Sequence, residues 1–242
     1  MRKLFLLLFI LPIALLAQKK PITLEDIYKK GTFRGEFVRA DFGEAAKEPE
    51  IKTDDLKDEN GKPFGQPDDI ITSPVNSKLV LLKKATEQIY RRSSKSIVYL
   101  YDAAADKLTK LENEKVLHPT FSPDGSKIAY VKNNNLVMYD VATKSARAIS
   151  TDGKWNEIIN GNCDWVYEEE FSMDRAYYWS TTGSKIAYLS FDESQVPEFI
   201  LTEYDGGLYP THSSYKYPKA GEKNSKVSLH IYDLATKKTI DV

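Results

Sequence analysis

One strand–turn–strand unit occurs twice in this sequence. Phe121-Ser-Pro-Asp-Gly-Ser-Lys-Ile-Ala-Tyr-Val131 is matched nearly residue for residue by Trp179-Ser-Thr-Thr-Gly-Ser-Lys-Ile-Ala-Tyr-Leu189. The strand that closes the unit appears three times, as Leu100-Tyr-Asp-Ala-Ala104, Met138-Tyr-Asp-Val-Ala-Thr-Lys144 and Ile231-Tyr-Asp-Leu-Ala-Thr-Lys237. The first two copies lie 38 residues apart, close to the period of a four-stranded propeller blade. The next interval is 93 residues, so extra segments are expected inside it. Pro123-Asp-Gly125 supplies a turn, because proline fixes φ and glycine accepts a positive φ; Asn133-Asn-Asn135 closes a hairpin. Each unit can bury an apolar face only by stacking on its neighbours. The expected fold is all-β, a partial β-propeller of about three four-stranded blades. A β-sandwich is the rival, disfavoured because the matches run through strand, turn and strand together.

The remaining sequence divides around this repeat. Residues 1–17 read as a signal peptide, with Arg2 and Lys3 ahead of the apolar Leu4–Leu16 and a small residue, Ala17, at the cut. Export to the periplasm or outside the cell is expected; an uncleaved segment would instead hold the chain at a membrane. Thr23-Leu-Glu-Asp26 is a capping box that opens a short helix, with Gly31 as its stop. Residues 18–76 form an N-terminal segment with an irregular first-blade region, loop-rich between 40 and 76, and residues 77–242 carry the blades. With 34 basic against 35 acidic residues, nothing favours nucleic acid. The single cysteine, Cys163, excludes an internal disulfide and a cysteine-rich metal site. There is no phosphate-binding loop, dinucleotide fingerprint or metal-ligand cluster, so no cofactor is expected.

The stretch that stands outside the repeat is Asn160-Gly-Asn-Cys-Asp-Trp-Val-Tyr-Glu-Glu-Glu-Phe171. Its aromatic flanks pull three consecutive carboxylates inward. Like charges held together resist joint ionisation unless a cation joins them, and a ligand ammonium is such a cation. A short helical turn over 165–171 is expected, interrupting the blades.

Asp164-Trp-Val-Tyr-Glu-Glu-Glu170 resembles, without a mismatch, the propeller motif of the dipeptidyl peptidase IV-like serine peptidases of the prolyl oligopeptidase family. Lys216-Tyr-Pro-Lys-Ala-Gly221 and Trp179–Gly183 resemble two further segments of that family. The resemblance implies an eight-bladed propeller, with Glu169 and Glu170 binding the free α-amino group of a peptide and Glu168 supporting them. It also implies an arginine that reaches the substrate's backbone carbonyl; counting back from Asp102 gives Arg91, with Arg92 as its neighbour and competitor. Residues 196–226 correspond to an arm that helps form a homodimer in the family. The family's Ser-Asp-His triad lies in a C-terminal α/β-hydrolase domain. This sequence has no Gly-x-Ser-x-Gly elbow, and His118, His212 and His230 lack a catalytic context, so no catalytic residue is assigned and hydrolysis by this polypeptide alone is not expected. The implied role is the substrate-recognition part of an exported serine dipeptidyl peptidase releasing Xaa-Pro or Xaa-Ala dipeptides. The alternative is a non-enzymatic propeller that binds peptides or proteins in the cell envelope.

Overall fold

The computed structural model describes residues 22–30, 51, 53 and 55–242. The expected signal peptide and the stop at Gly31 lie outside the described residues. The chain divides into two units, residues 1–46 and 47–242. In the first, helix α1 spans Leu24–Tyr28 and opens on the capping box: the Asp26 amide donates to Thr23 Oγ1, and the Thr23 amide donates to the Asp26 carboxylate, both at 3.1 Å.

The second unit is a run of three antiparallel four-stranded meanders. The first contains β1 (Asp69–Thr72), β2 (Leu79–Gln88), β3 (Ser94–Asp102) and β4 (Lys107–Lys110). Its opening strand lies inside the stretch read as loop-rich. Asp-Ile-Ile-Thr is too short to show alternation, and only its pairing with β2 makes it a strand. The second blade contains β5 (Val116–Phe121), β6 (Lys127–Lys132), β7 (Asn135–Asp140) and β8 (Ser145–Ala148). A two-residue ladder, Lys95↔Leu117 and Ser96↔Val116, joins it to the first. Ahead of the four strands of the third blade come β9 (Ile158–Asn160), which extends that blade's sheet, and helix α2 (Trp165–Phe171). That blade is β10 (Tyr177–Trp179) and β11 (Lys185–Asp192), then β14 (Lys226–Asp233) and β15 (Lys238–Asp241), with the hairpin β12 (Glu198–Glu203) and β13 (Thr211–Lys216) inserted in its middle. The 93-residue interval is thus filled by α2 and by this hairpin.

The repeated residues have repeated tasks. Lys127 stands directly across the ladder from Asp140, and Lys185 from Asp233, and each pair forms a salt bridge. Asp102, Asp140 and Asp233 each turn a carboxylate oxygen onto backbone amides of the following turn. Four residues on, Asp106, Lys144 and Lys237 close that turn with φ of 47°, 54° and 59°. Gly125 and Gly183 both adopt φ +69° in the preceding turn, a conformation glycine takes at no steric cost. Asn133 and Asn134 both have positive φ, the pattern of a two-residue hairpin turn that follows the strand twist.

Stacking of blades makes the core. On β6, Ile128 and Tyr130 face the first blade and pack with Leu81, Val98 and Leu100, whereas Ala129 and Val131 face the third and pack with Tyr177, Ile186 and Tyr232. A strand buried on both faces reads as a continuous apolar run, which is why Ile-Ala-Tyr-Val does not alternate. Burial of each such large side chain contributes about 1.5–3 kcal/mol. The far side of the first blade is covered by Leu56 and Phe64, packed on Val80, Leu82 and Tyr99.

Candidate functional site

Helix α2 forms where Asp164 caps it: Asp164 Oδ1 accepts the Tyr167 amide at 2.9 Å, and its other oxygen accepts the Ser225 hydroxyl at 2.5 Å. Ser172 ends the helix in the left-handed region at φ 57°. The aromatic flanks seat it. Tyr167 packs edge-on against Phe191 at 4.9 Å between ring centres, and Trp165 lies 4.4 Å from Tyr217. The Tyr217-Pro-Lys-Ala-Gly221 segment is thereby brought against the Trp-Val-Tyr-Glu-Glu-Glu segment.

Successive helical residues point about 100° apart, and that rotation separates the three carboxylates. Glu168 points inward and is fully buried. Its Oε1 accepts the Arg92 amide at 2.5 Å and the Ser93 amide at 2.8 Å; its Oε2 accepts the Ser93 hydroxyl at 2.6 Å. A buried carboxylate is tolerated when such donors satisfy it. Glu168 therefore rivets α2 to the loop between β2 and β3. Glu169, with 16% of its side chain exposed, meets Arg91 from that loop, Oε2 to Nε 3.0 Å. Glu170 is exposed and lines a concavity of about 240 Å3 with Trp165, Tyr217 and Lys219.

The two candidate arginines have different partners. Arg91 pairs with Glu169, and its side chain is 71% exposed. Arg92 gives its amide to Glu168 and its guanidinium to Ser172 Oγ at 2.9 Å, closing the loop on the end of α2. Glu169 and Arg91 are in contact, and Glu170 lines the concavity beside Tyr217. Among the described residues, Glu169 Oε1 and both oxygens of Glu170 have no hydrogen-bond or ion-pair partner, so the surface keeps uncommitted negative charge for a cation. Sequence reading did not find Ser93 and Ser172, because their roles depend on blade one meeting α2.

The other reactive side chains near this site are quiet. Cys163 is buried against Ile159, Ala176 and Phe191, and burial pushes its thiol well above the usual range, which keeps it protonated. His118 is held below its ordinary value by burial, opposed by its bond to Asn162 at 2.7 Å. Among the described residues there is no cluster of His, Cys, Asp and Glu that could hold a metal ion.

Comparison with known proteins places this fold in a family. The family profile described as the dipeptidyl peptidase IV N-terminal region matches residues 75–242. Dipeptidyl aminopeptidase B of Saccharomyces cerevisiae is 37% identical over 169 residues, which are 68% of this chain and 20% of the relative. Inactive dipeptidyl peptidase 10 of Mus musculus is 31% identical over 163 residues, 65% of this chain and 20% of the relative. The crystal structure of Porphyromonas gingivalis dipeptidyl peptidase 4 superposes with a TM-score of 0.70 at 41% identity, covering 74% of this chain and 26% of that one. The chain spans about a fifth of the length of these curated relatives. These matches make the chain a member of the dipeptidyl peptidase IV family, corresponding to part of that family's N-terminal β-propeller.

Proposed function

We propose that this chain supplies the substrate-anchoring part of an exported serine dipeptidyl peptidase. Glu169 and Glu170 hold the α-ammonium of a peptide, and Arg91 steers its first carbonyl. Distance from this anchor to a nucleophile on a separate α/β-hydrolase domain then selects cleavage after the second residue, with Pro or Ala there. The observation that carries the reading is the division of labour on α2: Glu168 is consumed by the β2–β3 loop, leaving Glu169 paired with one exposed arginine and, among the described residues, Glu170 without a partner. An ammonium placed there gains charge-assisted hydrogen bonds in a partly dehydrated setting. In the peptidase that carries this chain, Glu169→Gln or Glu170→Gln should lower kcat/KM on an Xaa-Pro anilide by about a hundredfold, or roughly 3 kcal/mol. Near-normal kcat/KM in both variants sinks the assignment.

A second reading, a non-enzymatic peptide-binding propeller, is favoured by one observation: a relative named inactive shares this region at 31% identity. An activity assay on the protein that carries this chain separates the two. The reading also gives the β12–β13 hairpin a role as a dimer arm. Ile200, Leu201, Tyr204, Leu208 and Tyr209 are exposed on it and suit an interface. Light scattering tests this, and a monomer that persists at high concentration counts against it.

A further inference from the structure

A second concavity in the same unit is lined in part by Tyr90 of the loop between β2 and β3. Its volume is about 540 Å3, within the range of small-molecule sites. Tyr90, Leu117, Trp155 and Ile159 give it apolar walls, and Glu193 lies among the lining residues. The charges around it are committed with one exception. Lys95 and Lys115 both pair with Glu87, at 3.2 and 2.9 Å, and Lys154 pairs with Glu157. Glu193 is only 6% exposed, and its carboxyl has no hydrogen-bond or ion-pair partner among the described residues. Its carboxyl oxygens are not sealed from solvent, so a mostly enclosed carboxyl without a protein partner is open to a visitor in the cavity.

We propose that this cavity is a cation site separate from the α2 anchor, taking a small primary ammonium with an apolar body, with Glu193 as counter-ion and Trp155 and Tyr90 as walls. Trp155 is 63% exposed at the rim, where an indole face attracts a cation and covers an apolar body. The electrostatic surroundings suit a visiting rather than a resident cation. Burial, with Asp164 nearby, lifts the Glu193 carboxyl to about 7, and Lys216 offsets this only in part. The Lys216 ammonium is already held by the Val196 carbonyl at 2.8 Å, with Glu198 at 3.9 Å. An arriving ammonium restores the ionised form of Glu193 and pairs with it. A free amine and a lysine side chain of a peptide share this chemistry.

The test is calorimetric titration of the protein that carries this chain, in a Glu169→Gln/Glu170→Gln background that removes the proposed anchor. Phenethylammonium and Nα-acetyl-lysine amide are the cationic probes, and phenylpropionate is an anion of similar shape. At least one cation should bind tenfold or more tightly than phenylpropionate, and the tighter of the two identifies the source. Adding Glu193→Gln should weaken that binding tenfold or more, and Trp155→Ala, at an exposed position, severalfold. The proposal is overturned if neither cation outbinds phenylpropionate in this background, or if neither further substitution weakens binding. Because the background lacks Glu169 and Glu170, failure here leaves the anchor reading intact, and failure of the anchor leaves this site standing.

Discussion

Replacing Glu168 by alanine removes the acceptor for three donors at once: the Arg92 amide, the Ser93 amide and the Ser93 hydroxyl, at 2.5, 2.8 and 2.6 Å. Hydrogen bonds to a charged group contribute about 1.5–3 kcal/mol each. The hydroxyl can turn elsewhere and water can enter the vacated space, so the net loss is about 3–4 kcal/mol. Glu168→Gln differs instructively. Its carbonyl oxygen still accepts both amides and its NH2 can donate to the Ser93 oxygen, so only charge assistance is lost, about 1 kcal/mol. The assay is amide hydrogen exchange at Arg92 and Ser93, read together with KM for an Xaa-Pro substrate of the proposed activity in the protein that carries this chain. The alanine variant should lose protection at both amides by about two orders of magnitude and raise KM as Arg91 drifts from Glu169. The glutamine variant should lose about one order or less. Equal protection in wild type and alanine variant, or a glutamine variant as damaged as the alanine one, would refute the rivet.

Three further outcomes follow from local geometry. A Cβ on Gly153 would sit 2.2 Å from the Asn134 carbonyl oxygen, so Gly153→Ala must displace the β6–β7 turn and should destabilise by on the order of 2 kcal/mol in denaturant unfolding. Asp164→Ala removes the cap of α2 and the Ser225 contact; a loss of about 1 kcal/mol is expected, with faster exchange of the Tyr167 amide as the readout. The Thr143 amide, then the Lys127 ammonium, hold the Asp140 carboxyl down at about 2. A depressed carboxyl stabilises the fold above its unfolded value, about 3.9, and that contribution fades as pH falls from there toward 2. Unfolding midpoints between pH 5 and 2 should therefore fall less steeply in Lys127→Met than in the wild-type protein.

The repeat was legible because its residues act locally. The turn glycines Gly125 and Gly183, the Lys–Asp pairs across one ladder and the strand-end aspartates need only the hairpin in which they occur. The α2 helix was legible for the same reason, since Asp164 caps it from the adjoining position. Strand β1 was not, because its four residues acquire strand character only from β2. The Glu triplet was visible as unusual, but its division was not. That Glu168 faces Ser93, 75 residues away, depends on the packing of one blade beside an inserted helix. Glu193 carried no signal: a lone glutamate at the end of a strand looks like surface until Asp164 and the cavity wall close around it.

The central claim is that Glu169 and Glu170 act on substrate charge. The most direct measurement is the ratio of kcat/KM for a peptide with a free N-terminus to that for the same peptide N-acetylated, in wild type and in Glu169→Gln/Glu170→Gln. Under the proposed function, the account predicts a large ratio in the wild-type protein that carries this chain, collapsing toward one in the double variant, with cleavage of the acetylated peptide little changed. A double variant that keeps the wild-type ratio would contradict it.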